Sequence, residues 1–395
     1  MKITTRHAKT HQNIPSSKHH TMSSHHFFPC LLFLLLLSLH HSLSLAKRCH
    51  PDDEDALLRI KAHFNNATAF STWTPQTACC RKWNMVMCKR LPNTKIFRVN
   101  FLEISGEEGI SGVIPSAVGD LPYLETLIFR LLPNLTGPIP PAIGKLTQLG
   151  LLFLNWNDLT GPIPPFLSRL TNLSTLGLNN NRLTGRIPSY LGRLPNLGAL
   201  WLYQNQLTGP IPASFGYLQN GTVLQLYDNQ LSGPIPTSLG RVSFGILDIA
   251  GNQLTGDASF LFGEDKQQLN HLNLSRNKLS FNLTNTVMSG IELEAELLVL
   301  DLSHNMIYGQ LPTWLGHASI VYQFNVSYNQ LCGPIPTEGG ALQKFDASAF
   351  SHNKCLCGAP LPPCTATHTR VPRDGQAGCW GQSKLVKVRF ITSMR

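Results

Sequence analysis

A chain of 395 residues, with 42% hydrophobic and 14% charged residues, is long enough for a large core, and its formal charge of +10 resembles that of a polyanion binder. Residues 1–48, however, hold six Lys/Arg and no acid, residues 365–395 hold six Lys/Arg against Asp374, and 20 basic residues face 21 acidic ones in 49–364. The central part is therefore about neutral, which excludes the basic footprint of a phosphate-backbone binder.

Residues 1–46 read as a leader and signal peptide. Phe27 to Leu39 is an apolar run too short to span a membrane, and Ser44-Leu45-Ala46 supplies small residues for cleavage after Ala46. Met22 is an alternative start. Nine of the 15 histidines fall in the first 50 residues, where a low-complexity leader accounts for them better than a metal site. No later stretch reaches about 18 apolar residues, so the expectation is a secreted chain without a transmembrane segment and without a kinase signature.

Residues 47–95 form an expected N-terminal disulfide cap. Asp52-Asp53-Glu54-Asp55 opens an amphipathic helix with Leu57, Leu58, Ile60, Lys61 and Phe64 along one side, and acids suit a helix start better than a cation site. Trp73 and Trp83 are expected to cover the open end of the adjoining solenoid.

Residues 96–336 repeat. Leu-x-x-Leu-x-Leu-x-x-Asn-x-Leu-(Ser/Thr)-Gly-x-Ile-Pro recurs about every 24 residues, most cleanly from Leu149, Leu173 and Leu197, with its asparagines at 157, 181, 205, 229, 252, 277, 305 and 329. This period and consensus predict an α/β solenoid of about ten extracellular plant-type leucine-rich repeats. Alternation as in Leu200-Trp201-Leu202 sends leucines inward and builds a parallel sheet on the concave face. The asparagine can bond backbone groups at the inward turn, glycine permits the next turn, and proline pushes the return path into 3₁₀ or irregular convex segments.

Residues 337–364 form an expected C-terminal disulfide cap, and 365–395 an atypical basic tail, expected to be disordered, with an unpaired Cys379. Cys49, Cys79, Cys80, Cys88, Cys332, Cys355, Cys357 and Cys364 sit at the two ends of the array, as disulfides of a secreted protein do. Eight cysteines allow 105 pairings. Closing each cap separately favours 49 with 79, 80 with 88, 332 with 355 and 357 with 364. Sequons at Asn66, Asn134, Asn172, Asn220, Asn273, Asn282 and Asn325 are candidate glycan sites, and glycans at 273 and 325 would shield the concave face.

Outward strand positions place Phe153, Trp156, Gly177, Trp201, Tyr203, Gln225, Tyr227, Asp248, His271 and Asp301 on that face. The leucines already fill the core, so the large aromatics read as partner anchors rather than as packing between strands. Asp248, His271, Ser275, Asp301, Ser303 and His304 contain the ingredients of a hydrolytic triad, but side by side on an open sheet without a pocket. With no nucleophile elbow, zinc motif or phosphate loop, the chain is not expected to be an enzyme. Neither a cofactor nor a metal is expected, and the expected state is a monomer.

Cys79-Cys80-x-x-Trp83-x-x-Val86-x-Cys88, Gly256-Asp257-Ala258-Ser259, Phe281-Asn282-Leu283, Asn325-Val326-Ser327-Tyr328-Asn329 and Cys355-Leu356-Cys357-Gly358-Ala359-Pro360-Leu361-Pro362 make residues 49–364 resemble the plant polygalacturonase-inhibiting proteins. The resemblance implies a secreted defence protein of the cell wall that binds fungal or insect endopolygalacturonases through its concave face and occludes their substrate cleft. Trp201, Tyr203, Gln225, Tyr227 and Asp248 would be central, with His271 and Asp301 extending the site. It also implies pectin as a second ligand. Alternatives are a receptor-like ectodomain for a peptide or co-receptor, and an ice-binding solenoid.

Overall fold

A computed structural model describes residues 49–365, apart from 108, 289–296 and 319–320. The leader, the tail and Cys379 lie outside the described residues.

The N-terminal helix Pro51–His63 starts on a proline and carries Asp52, Asp53 and Glu54 in its first turn, where exposed N–H groups favour negative charge. Asp53 does more than complement the helix. It is 1% exposed, forks onto Arg98 at 2.7 and 2.9 Å, and accepts the Val99 N–H at 2.9 Å, so it fixes the helix to the strand Phe97–Ser105. Leu57, Ile60 and Phe64 are buried as their spacing predicts, Leu58 only partly, and Lys61 instead donates to the Trp73 carbonyl. Trp73 and Trp83 are buried and stacked 5.4 Å apart, their indole N–H groups donating to Asn84 and Thr77.

From Phe97 onward each repeat contributes one short parallel strand to a sheet of eleven described strands, which begins with the antiparallel strand Val86–Arg90 and ends at Gln323–Asn325. A second sheet, of eight strands, runs from Ser111–Val113 to Lys278–Leu279 along the flank, and three strands join the last repeats to the C-terminal cap. Leu152, Leu176, Leu200, Leu224, Leu247, Leu272 and Leu300 succeed one another at 0 to 1% exposure. Each contributes about 1.5 to 3 kcal/mol of burial that a lone repeat could not capture.

The asparagine column is a ladder. Asn205 accepts the Leu183 N–H of the previous repeat at 3.0 Å, donates back to Leu178 at 3.0 Å, and reaches its own Leu202 carbonyl at 3.1 Å. Asn181, Asn229, Asn252, Asn277, Asn305 and Asn329 do the same, and Asn353 extends the ladder into the cap. These amides replace backbone partners that the turn removes.

The convex side is a stack of 3₁₀ helices, each after a proline: Pro141–Lys145, Pro165–Arg169, Ser189–Arg193, Ala213–Tyr217 and Thr237–Arg241. A Cβ on Gly192 would collide with the Ser214 carbonyl of the next helix, which sets how closely neighbouring coils approach. The structure joins Cys49 to Cys79, Cys80 to Cys88, Cys332 to Cys355 and Cys357 to Cys364.

Candidate functional site

Strand register lines the candidate residues into rows along the concave face. Phe153, Gly177, Trp201, Gln225, Asp248, Asn273, Asp301 and Asn325 are successive Cα partners and form the central row. His271 lies in the row on one side, after Val223 and Ile246. Tyr203 and Tyr227 lie two residues further along their own chains, on the other side.

The two halves of the central row differ in chemistry. In the C-terminal half a short acceptor closes a turn on the N–H two residues on: Asp248 to Ala250, Asn273 to Ser275, Asp301 to Ser303 and Asn325 to Ser327, at 2.9 to 3.2 Å. In the N-terminal half Phe153, Gly177 and Trp201 carry no such acceptor and pack instead. Phe153 and Trp201 approach to 5.5 Å at a tilt of 43°, and Tyr203 stacks on Tyr227 at 4.3 Å and 8°.

This corrects the expectation that the aromatics have no packing duty. Four of the five brace neighbouring strands and remain half-buried; Trp156 alone stands free, 50% exposed. Gly177 and Asp248 are also less available than outward positions suggest. Gly177 is buried beneath Phe153, and Asp248 is 7% exposed, receiving the Asn273 amide at 3.3 Å.

A further row was not visible in the sequence. The residue before each ladder asparagine takes the left-handed conformation: Trp156, Asn180, Gln204, Asp228, Arg276, His304, Tyr328 and His352 have φ of 52 to 58°. Non-glycine residues rarely adopt it, and here the ladder imposes it. The result is a projecting rim that ends in stacked His304, Tyr328 and His352 rings, 4.1 and 4.0 Å apart. Only the regularity of the asparagine column could have hinted at it.

The face is not wholly without relief. Tyr227, Asp228, Asp248, Arg276, Asp301 and His304 surround a shallow polar hollow of about 310 Å³. His271 Nε2 stands 3.5 Å from Asp248 Oδ2, and Ser275 donates its hydroxyl to Asn273 at 2.8 Å rather than to the imidazole. Burial raises the pKa of both tyrosines, and Tyr203 and the Asp248 carboxylate raise that of Tyr227 further. Among the described residues, four buried side-chain polar atoms make no hydrogen bond: Asn155 Oδ1, Asn179 Oδ1, Trp201 Nε1 and His271 Nε2, the last facing only the Asp248 carboxylate at 3.5 Å. All four lie on this face. Folded chains avoid such atoms, and functional surfaces are where they persist.

Five sequon asparagines, 66, 134, 172, 220 and 282, are exposed, whereas Asn273 and Asn325 are half-buried in the central row. No described helix is long and apolar enough to cross a membrane.

A leucine rich repeat N-terminal domain model matches residues 50–89, and a leucine rich repeat model matches 172–194 and 296–318. A polygalacturonase inhibitor of Arabidopsis thaliana is 56% identical over 338 residues, 85% of this chain and 98% of the relative. The chain belongs to the polygalacturonase-inhibitor family. The inhibitor of Pyrus communis is 52% identical, with 86% of this chain and 98% of the relative covered. Among solved structures, a plant ice-binding protein shares 45% identity at a TM-score of 0.74, covering 81% of this chain and 99% of that one. The TDR receptor shares 32% at 0.54, covering 62% of this chain and 41% of the receptor. This chain thus shares a scaffold with a receptor and an ice-binding protein, and a shared scaffold does not fix what its face binds.

Proposed function

We propose that this chain is a secreted defence protein of the plant cell wall that binds and inhibits endopolygalacturonases of fungi or insects, acting as a monomer. The observation that carries this reading is the central row, Phe153 to Asp301, on a rigid face where aromatic anchors give way to acids and where buried polar atoms without hydrogen bonds collect. The relatives named polygalacturonase inhibitors, at 52 to 56% identity, favour it over peptide or ice binding, for which the likeness is 32 and 45%. Trp201, Tyr203, Gln225, Tyr227 and Asp248 form the centre of the contact, Phe153, Trp156 and Gly177 its apolar end, and His271 and Asp301 its polar end. The chain performs no chemistry; it covers the enzyme's substrate cleft. Glycans on the five exposed sequons leave this face open.

The test is release of reducing ends from polygalacturonate by a panel of fungal endopolygalacturonases, with and without the secreted chain. Inhibition that Trp201→Ala or Gln225→Ala removes is the expected result. A folded chain that inhibits none of the panel overturns the reading.

Pectin is proposed as a second ligand, on a different surface. Lys145, Arg169, Arg193 and Arg241 end successive 3₁₀ helices at 24-residue intervals, with exposed Tyr217 holding the remaining place. Asp120 takes Lys145 at 3.2 Å, while no described acid is ion-paired with the three exposed arginines. A linear polyuronide lying along the solenoid axis would meet one cation per repeat.

A further inference from the structure

Tyr203 and Tyr227 are the only tyrosines of the described chain whose rings stack on one another, at 4.3 Å and 8°. Adjacent parallel strands hold them: Leu202 donates its N–H to the Gln225 carbonyl at 2.9 Å, and Gln204 donates to that of Tyr227 at 2.9 Å, on either side of Tyr203. Both rings are half-buried at the open concave surface. The other tyrosines are placed differently. Tyr328 is sandwiched between His304 and His352, Tyr190 is turned inward onto the Pro164 carbonyl, and Tyr217 and Tyr322, 69% and 67% exposed, stack on no ring.

We infer that Tyr203 and Tyr227 form an oxidative cross-linking site, at which a heme peroxidase with hydrogen peroxide joins the two rings into dityrosine. Each phenol gives up one electron and its proton, and the two phenoxyl radicals form one carbon–carbon bond between ring positions ortho to oxygen. The hydrogens at those carbons then move to the phenol oxygens as both rings become aromatic again. The chain loses two hydrogens in all, and peroxide takes up the two electrons and two protons and leaves as two waters.

Stacking favours this outcome because a second radical on the adjacent ring is already at contact distance, so coupling becomes intramolecular and competes with encounters between molecules. Radicals on Tyr217 or Tyr322 have no stacked phenol and must find another chain. Joining the rings twists them out of their parallel stack and removes two anchors from the concave face. Loss of inhibition on cross-linking therefore rests on the inhibitor reading, whereas the cross-link itself does not.

The experiment treats the full secreted chain with a plant heme peroxidase and hydrogen peroxide, isolates the monomer, and cleaves it between residues 203 and 227. The expected product is a pair of joined peptides, two hydrogens lighter than their sum, with dityrosine fluorescence in the monomer. Tyr203→Phe and Tyr227→Phe should each remove it while leaving cross-linked dimers made through Tyr217 and Tyr322. Absence of the joined pair from the monomer, while dimers form under the same oxidant, overturns the proposal. Inhibition by the cross-linked monomer should fall roughly tenfold or more. If the joined pair forms and inhibition is unchanged, the cross-link stands and the two rings are not anchors for the enzyme.

Discussion

Phe153 and Trp201 meet across Gly177. Their strands are separated by the glycine's own strand, so two backbone spacings of about 4.8 Å lie between them, yet the ring centroids are 5.5 Å apart. The glycine makes this possible by absence: a Cβ there would lie 2.6 Å from Phe153 Cδ1 and 3.5 Å from the Trp201 ring. Gly177→Val should push the rings apart while leaving the fold intact, because the backbone at 177 is ordinary strand. The expected effect is weaker inhibition, by roughly tenfold, with a stability loss of only about 1 to 2 kcal/mol and a shift in tryptophan emission. Unchanged inhibition with a shifted emission would remove this pair from the interface.

Asn205→Ala should cost much more stability than the loss of one ordinary polar side chain. The side chain satisfies one N–H and three carbonyls in two repeats, and it is buried. Truncation leaves those groups without partners, which costs about 2 to 4 kcal/mol. Urea denaturation monitored by circular dichroism reads this directly, and a loss below about 1 kcal/mol would mean that water replaces the amide.

Arg98→Met tests how the cap is held to the first repeat. Asp53, 1% exposed, would keep only the Val99 N–H, and an uncompensated buried carboxylate costs about 3 to 5 kcal/mol. Adding Asp53→Leu should recover most of that loss, since the pair itself gains little over apolar packing. A double variant as unstable as the single one would show that the cap depends on the ion pair rather than on filling its volume.

The solenoid was legible because period, leucine alternation and ladder asparagines all point to one architecture. Trp73 and Trp83 capping the N-terminal end was equally readable from their position before the array. The binding face was legible only as a list of outward positions. Which of those side chains stand free depends on neighbours 24 residues away: Trp201 is tied up because position 177 is glycine, and Trp156 stands free because the next rim residue, Asn180, offers no ring, whereas His304, Tyr328 and His352 in the same left-handed conformation stack. The Asp53–Arg98 fork, between residues 45 apart, obeys no periodicity and could not be read from spacing.

Acid should weaken the N-terminal flank. The Arg59 guanidinium, and to a lesser degree Lys145, hold the Asp120 carboxyl below its usual range, and Lys89 with Asn100 does the same to Glu125. A carboxylate whose folded pKa is depressed stabilises the fold above its unfolded pKa, and that contribution is lost as pH falls through the folded value, here below about pH 4. Both groups are more than a third exposed, so screening limits each to under about 1 kcal/mol. Asp120→Asn should therefore lower the urea midpoint at pH 7, and that difference should shrink progressively as the pH is taken below about 4; a difference that does not change with pH would assign the loss to packing.

The convex arginines and the concave row should separate two activities on one molecule. Arg169, Arg193 and Arg241 are exposed on the 3₁₀ stack, whereas Trp201 and Gln225 belong to the sheet on the opposite side of the leucine core. Replacing all three arginines by alanine should weaken retention on immobilised polygalacturonate roughly tenfold at low salt and flatten its salt dependence, because exposed charges act at a distance that salt screens. Enzyme inhibition, measured with soluble enzyme and a short oligogalacturonate, should be untouched by that triple change and lost with Trp201→Ala. Retention that survives the triple variant would place polyuronide binding elsewhere. Inhibition that falls with it would mean that the enzyme reaches around to the convex side, and that a concave-only interface is too small a description.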